Sequence, residues 1–360
     1  MLDVKKPEEY SEQIEIIQKS QESKPLLELK DVKSYYPIKK GIISRMVGYI
    51  KAVDGVSLSV YPGESLGLVG ESGCGKSTLG RSVLNIDFDA EISGSIKFSG
   101  GNISGMKGKK ALSMRRQIQM IFQDPFSSLP PRKRVIDIIS EPLKVHHLCP
   151  ENKIDMKVES LLASVGLLPE HKNRYPNEFS GGQRQRIGIA RALALDPKMI
   201  ICDEPVSALD VSIQAQILNL LKDLQAEFNL TFLFIAHGLG AVKYVSNRIA
   251  VMYMGKIVEI ASTKDIFSSP YHPYTRALLS AYPVHNPHLR GQKRIVLSGD
   301  VPSSINPPEA CRFASRCPIA SERCYKEMPL LSSVSPNPSD SHQVACFKPQ
   351  PYYNGHYYNI

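Results

Sequence analysis

The stretch Ser65-Leu-Gly-Leu-Val-Gly-Glu-Ser-Gly-Cys-Gly-Lys-Ser-Thr-Leu-Gly80 decides the fold. Leu66–Val69 is short and apolar, the pattern of a buried strand. Gly70, Gly73 and Gly75 follow, and Lys76, Ser77 and Thr78 open a helical pattern that runs to Leu84. Strand, glycine-rich loop and helix therefore stand in the spacing G-x-x-x-x-G-K-[ST]. Glycine lets the backbone curl until successive N–H groups face one anion, and the helix start adds its own N–H groups and dipole. Lys76 then reaches the β- and γ-phosphates and Ser77 ligates Mg²⁺. A glycine-rich turn that binds nothing would need neither the strand before it nor the helix after it. The stretch predicts a nucleotide-binding α/β domain.

The rest of the composition fits such a domain and narrows its surroundings. At 360 residues two domains are the soft expectation, and 42% hydrophobic residues suffice for a sizeable core. The formal net charge of +9 suits nucleic acid or an anionic membrane face equally. Its cations come in small groups (Lys39, Lys40, Arg45 and Lys51; Lys107 to Lys110; Arg132 to Arg134), with no long basic helix and no interleaved aromatics. They read as solvated surface charge, and no nucleic-acid partner is expected. No apolar run approaches the ~18 residues of a membrane span. The N-terminus carries Asp3, Glu8 and Glu9 and no apolar core of a signal peptide, so a cytoplasmic location is expected. There the seven cysteines are expected as free or metal-bound thiols.

Along the chain, residues 1–24 read as a polar tail, and regular patterning starts at Leu26. Strands are expected over 26–32, 52–61, 93–98, 117–122, 199–202, 231–236 and 249–253, and helices over 184–195 and 213–228. Residues 124–180 change texture, with helical stretches at 135–143 and 153–165 among Pro-containing loops, and read as a helical insertion. Prolines and cysteines become dense near Ser269-Pro270, which sets a boundary at about residue 265. The segment 266–349 is then a C-terminal extension, and the Tyr-rich residues 350–360 a tail.

A phosphate loop needs an acidic partner at a strand end. Asp203 directly follows the apolar strand Met199–Cys202, in position to hold Mg²⁺, and Glu204 follows where a carboxylate can polarise an attacking water. Around this pair stand Phe179-Ser-Gly-Gly-Gln183 and Ser207-Ala-Leu-Asp210. Ser180 is a helix N-cap, leaving the Gly181 and Gly182 amides to meet a second anion.

From Leu27 to Ile260 these motifs, in this order, resemble the ATPase subunits of ATP-binding cassette (ABC) transporters. Gly70, Glu71, Ser72, Gly73, Cys74, Gly75, Lys76, Ser77 and Thr78 resemble the Walker A loop. Gln123 resembles the Q-loop residue, Ser180, Gly181, Gly182 and Gln183 the signature motif, Asp203-Glu204 the Walker B pair, Asp210 the end of the D-loop and His237 the switch histidine. The resemblance implies a RecA-like core with an antiparallel β subdomain and a helical subdomain. It implies ATP and Mg²⁺ held by Lys76, Ser77, Gln123 and Asp203, and Glu204 as general base. Gln123 and His237 would sense the γ-phosphate, and Tyr36 would stack on adenine, with its neighbour Tyr35 or a core role for both as the alternatives. Cys74 is expected as an inert small side chain. The resemblance also implies head-to-tail pairing of two ATPases, each ATP lying between one chain's phosphate loop and the other's signature motif. Gly238, where the family often has Asp, is a departure.

Gly70-Glu-Ser-Gly-Cys-Gly-Lys-Ser-Thr78, Ile121-Phe-Gln-Asp-Pro-Phe-Ser-Ser-Leu129 and Phe179-Ser-Gly-Gly-Gln-Arg-Gln-Arg186 are similar to the dipeptide and oligopeptide importers within that family. So is His272-Pro-Tyr-Thr-Arg-Ala-Leu-Leu279, which opens the group's C-terminal extension. Val53-Asp54-Gly55, Cys74 and Arg81 resemble the second, F-type ATPase of the pair, and Pro130 departs from the group's usual Asn. The partners implied are a second ATPase subunit in a heterodimer, two transmembrane permease subunits and an extracytoplasmic substrate-binding protein, with this chain on the cytoplasmic side of the membrane. Related importers carry peptides, nickel or oligosaccharides. A soluble cassette ATPase acting on nucleic acid or ribosomes is the rival, though such proteins usually carry two cassettes per chain.

Cys311, Cys317, Cys324 and Cys346 are separated by five, six and twenty-one residues, unlike the short C-x₂₋₄-C spacing of common zinc sites. Four thiols in a Pro-rich segment with little apolar core suggest a metal staple. Similar extensions in this group hold a [4Fe–4S] cluster, which Cys₄ ligation suits; zinc and free thiols stay open. The staple is expected to be structural and apart from hydrolysis.

Overall fold

A computed structural model describes residues 24–40, 45–124, 128–281, 295, 297, 299, 302–334 and 342–351. The expected tails lie outside these residues, except Lys24, Gln350 and Pro351. The chain folds as two compact units, one of 1–61, 66–105 and 237–360, the other of 62–65 and 106–236.

The first unit opens with an antiparallel sheet. Strands β1 (Leu27–Lys40) and β2 (Arg45–Val60) pair with Leu27 opposite Val60 and Leu29 opposite Leu58. On its other side β1 pairs with β4 (Glu91–Phe98), Leu27 opposite Phe98 and Leu29 opposite Ile96, and β4 carries the short β5 (Gly101–Asn102). The period-2 alternation puts Leu27, Leu29, Leu58, Val60, Ile96 and Phe98 on a buried face. The strand expected over 52–61 begins at Arg45, because Tyr49, Ile50 and Lys51 continue the ladder with Pro37, Tyr36 and Tyr35.

A second sheet of this unit starts from β3 (Ser65–Val69), which runs parallel to β9 (Arg248–Tyr253), Val69 beside Val251. Antiparallel to β9 comes β10 (Lys256–Ser262). The extension then adds two short strands: β12 (Gln343–Val344) pairs with β10, and β11 (Ser332–Ser333) with β12. Helices α1 (Lys76–Leu84), α7 (Leu239–Val245), α8 (Thr263–Ser268), α9 (Pro273–Ser280) and α10 (Glu322–Lys326) also belong to this unit.

The second unit contains parallel strands β6 (Ile118–Ile121), β7 (Met199–Asp203) and β8 (Thr231–Ile235). All residues of β7 and β8 are buried, as parallel strands require. Helices α2 (Gly108–Gln117), α3 (Val135–Val145), α4 (Ile154–Ser164), α5 (Gly181–Leu193) and α6 (Val211–Phe228) complete it. Ile138, Ile139, Leu143, Val158, Leu162 and Ile187 from α3, α4 and α5 form a helical core. Helix α5 starts at Gly181, three residues before the expected start, because two glycines weaken the sequence signal while Ser180 caps them. Among the described residues no helix is long and apolar enough to cross a membrane.

Candidate functional site

In the first unit β3 feeds the loop 70–75, which turns into α1. Gly70, Gly73 and Gly75 have φ of 157°, 75° and 105°. Crowding adds to this conformational demand: a β-carbon on Gly70 would lie 2.1 Å from the Met252 carbonyl oxygen, and one on Gly75 2.0 Å from that of Ala52. Gly75 is also the N-cap of α1, so no side chain competes for the first N–H groups of that helix. The Lys76 ammonium is buried and donates to the carbonyl oxygens of Gly70 (2.8 Å) and Glu71 (3.1 Å), so its charge sits within the curl of the loop. Ser77 and Thr78 follow in the first turn of α1.

Cys74 is 5% exposed, and burial pushes its thiol up against the opposing pull of Lys76. That fits an inert side chain. Tyr36 lies in β1, half-buried, and its hydroxyl donates to the Asp87 carboxylate. Burial and then this bond raise its pKa, while a hydrogen bond with Thr78 acts the other way. Tyr36 is thus beside the start of α1. His237 is exposed, and Gly238 after it is the N-cap of α7.

The second unit holds the acidic pair. Register explains its geometry: β6 and β7 are parallel with Ile121 beside Cys202, so Gln123 and Glu204, each two residues on, leave neighbouring strand ends. The Gln123 Nε2 donates to Glu204 Oε2 at 2.7 Å. Asp203 ends β7 fully buried. Glu204 adopts a left-handed backbone (φ 48°), which costs a non-glycine residue about 1–2 kcal/mol. Its N–H donates to the Ile235 carbonyl of β8 at 2.9 Å, which fixes that conformation.

The signature segment lies in the same unit. Ser180 and Gln183 form a capping box: the Ser180 N–H donates to Gln183 Oε1 (3.0 Å), and the Gln183 N–H reaches Ser180 Oγ at 3.4 Å. The Gln183 side chain therefore serves the helix start. Gly182 turns its Cα toward a neighbouring helix. It is buried, and a β-carbon there would lie 2.5 Å from Ile213 Cγ2 of α6. Gly181 is more open, with Leu209 nearest, and Ser180 is exposed. Asp210 is the exposed N-cap of α6.

The four extension cysteines line one cavity, with His272 and Phe313 in its wall. The Cys311 N–H donates to the carbonyls of Cys324 and Glu327, both at 3.0 Å, and the Cys346 sulfur accepts from the Lys348 N–H at 3.4 Å. Burial and the neighbouring cysteines push the Cys311 thiol up to about 11, and burial raises Cys317 and Cys346 too. Among the described residues no group of three or more His, Cys, Asp or Glu side chains is placed to hold a single metal ion.

Sequence reasoning missed how the extension reaches the phosphate loop. Arg316 pairs with Glu71 at 2.8 Å, and the Tyr274 hydroxyl accepts from the Glu71 N–H at 2.8 Å. Arg312, buried, pairs with buried Asp54. The motif 272–279 contains Tyr274, yet nothing local marks its partner, about 200 residues away in sequence.

Residues 53–207 match the family model for the ABC transporter, and residues 258–324 that for the oligopeptide/dipeptide transporter C-terminal region. The oligopeptide transport ATP-binding protein AppF of Bacillus subtilis is 53% identical, covering 89% of this chain and 96% of its own. The oligopeptide transport ATP-binding protein OppF of Escherichia coli is 49% identical over 91% and 97%. The dipeptide transport ATP-binding protein DppF of Haemophilus influenzae is 45% identical over 91% and 97%. Among solved structures, the ADP- and Pi-bound dimer of the ATP-binding cassette MJ0796 superposes with TM-score 0.58 at 27% identity, covering 66% of this chain and 98% of its own. The cbiO1 subunit of a Clostridium perfringens ABC transporter complex gives 0.57 at 26%, over 68% and 91%.

Proposed function

Because this chain belongs to the ATP-binding subunits of oligopeptide and dipeptide ABC transporters, an ATPase family, we propose that its hydrolysis of ATP drives the import of peptides. The bond between Gln123 and Glu204 carries the catalytic assignment, since it presents a carboxylate base with an amide holding one of its oxygens. In this reading Lys76 and the loop N–H groups take the phosphates, and Glu204 accepts the proton of the attacking water. Gln123 keeps the base oriented, and His237 stands by for the γ-phosphate. The hydroxyl of Ser77, the carboxylate of Asp203 and the amide oxygen of Gln123 are the hard donors Mg²⁺ prefers, and Mg²⁺ would neutralise phosphate charge there.

The capped start of α5, with Ser180 exposed, suits an anion of a second subunit's nucleotide. The functional unit is then a pair of ATPases, a heterodimer by likeness to the F-type subunits. It works with two permeases at the cytoplasmic face of the membrane and is served by a substrate-binding protein. A [4Fe–4S] cluster on Cys311, Cys317, Cys324 and Cys346 is the finer reading of the extension, supported by four thiols around one cavity. Bound there, it would cross-link the segment and take no part in hydrolysis.

In the assembled transporter, Glu204→Gln should bind ATP and lower kcat by at least ~100-fold, the scale of a lost general base. An unchanged kcat would remove Glu204 from that role. Anaerobically purified protein should be brown, with about four irons per chain. Colourless protein with an ordered extension would end the cluster reading.

A further inference from the structure

We propose that Tyr274 and Arg316 of the C-terminal extension are positioning residues of the phosphate loop, setting its affinity for nucleotide from behind. The inference rests on the reading of Gly70–Ser77 as the nucleotide site and asks what holds that loop in its binding shape.

Two groups on the extension grip one loop residue. The Glu71 N–H donates to the Tyr274 hydroxyl (2.8 Å), and the Glu71 carboxylate takes the Arg316 guanidinium (2.8 Å). Glu71 also accepts through its carbonyl from Lys76 Nζ (3.1 Å) and from the Cys74 N–H (3.3 Å). Its carbonyl therefore ties the start of the curl to its end, and fixing Glu71 helps fix where the Lys76 charge lies. Elsewhere the described bonds from outside the loop are fewer, chiefly the Gly255 N–H to the Cys74 carbonyl at 2.9 Å.

The grip is rigid. Tyr274 is fully buried, with Tyr253 at 4.6 Å and Phe313 at 5.5 Å between ring centroids. Arg316 lies over the Tyr253 ring and donates to its hydroxyl at 3.3 Å. The same short segment carries Arg312, paired with buried Asp54, and two of the four cavity thiols, Cys311 and Cys317. A loop held this way loses less entropy on taking a nucleotide, so its affinity rises without a new ligand contact. The extension thereby acts on nucleotide binding and is more than the remote staple the sequence suggests.

The test is a titration of the full-length chain with a fluorescent MgATP analogue, beside a thermal melt. Tyr274→Phe keeps the ring and deletes the hydroxyl; Arg316→Gln deletes the charge. Each should weaken binding about three- to tenfold, the worth of one hydrogen bond of this type. In the assembled transporter KM for ATP should rise with kcat retained, the mark of lost uniform binding. Arg316→Lys should recover most of the affinity, and Arg316→Gln should add less than about twofold in a Glu71→Gln background. Lys76→Ala is the control for the site itself. If it abolishes binding while Tyr274→Phe and Arg316→Gln bind like the wild type, the positioning role is overturned, whatever their melting temperatures. If Lys76→Ala binds like the wild type, the nucleotide assignment of the loop is what fails.

Discussion

Asp54 shows how much one residue joins in the first unit. It is buried, accepts from the Tyr35 hydroxyl, pairs with Arg312 and lies 3.4 Å from Lys256 Nζ. Burial works to raise its pKa, but the Tyr35 bond and the charges of Lys256 and Arg312 outweigh it, and the carboxyl sits below its ordinary value. Stability from this ionised group is present above the unfolded pKa of about 3.9 and is lost as pH falls through the lower folded value. Asp54→Asn should flatten the acid limb of a melting-temperature profile taken from about pH 5 down to pH 3, and lower the melting temperature at pH 7. Arg312→Ala leaves a buried carboxylate without that partner, and a denaturant titration should show a loss of about 3 kcal/mol or more. A profile superimposable on the wild type in both respects would mean that the pair is idle.

At the scale of elements, two junctions deserve a direct measurement. Helix α5 packs against α6 through Gly182, where even one methyl meets Ile213. Gly182→Ala should lower stability by about 1–3 kcal/mol through overpacking, although alanine is the better helix former. A variant as stable as the wild type would show that Ile213 can move aside. The second junction ties the extension to β10. Glu259 is fully buried and accepts from the N–H groups of Tyr271 (2.7 Å) and His272 (3.0 Å), with His342 Nε2 at 2.7 Å. Glu259→Gln turns one acceptor oxygen into a donor facing donors, at a cost of about 1–3 kcal/mol. Limited proteolysis should then cut the extension faster, and equal cutting rates would show that β12 is held by other means.

On the scale of the whole molecule, one chain carries a single phosphate loop and a single signature segment. If each nucleotide needs a loop from one subunit and a signature from another, the isolated chain should hydrolyse ATP slowly. Adding the second ATPase and the permeases should raise the rate. Full activity at a rate per chain independent of protein concentration would contradict the pairing. Stimulation by nucleic acid in place of the membrane partners would favour the soluble rival.

Much of the site was legible because its signals are local. The phosphate loop needs glycine at fixed spacings, a buried strand end places Asp203, and a serine before a helical pattern announces the cap at Ser180; all are decided within a few residues by backbone sterics and hydrogen bonding. The class of fold follows from the same local patterns. What only the tertiary structure decided are contacts between residues far apart in the chain. Register between β6 and β7 sets Gln123 on Glu204. Close helix packing turns Gly182 inward. The extension's Tyr274 and Arg316 meet Glu71 across some 200 residues or more of sequence. Periodicity and spacing carry no record of such pairs, because the partner of a buried polar group is chosen by where the chain returns, not by its neighbours in sequence.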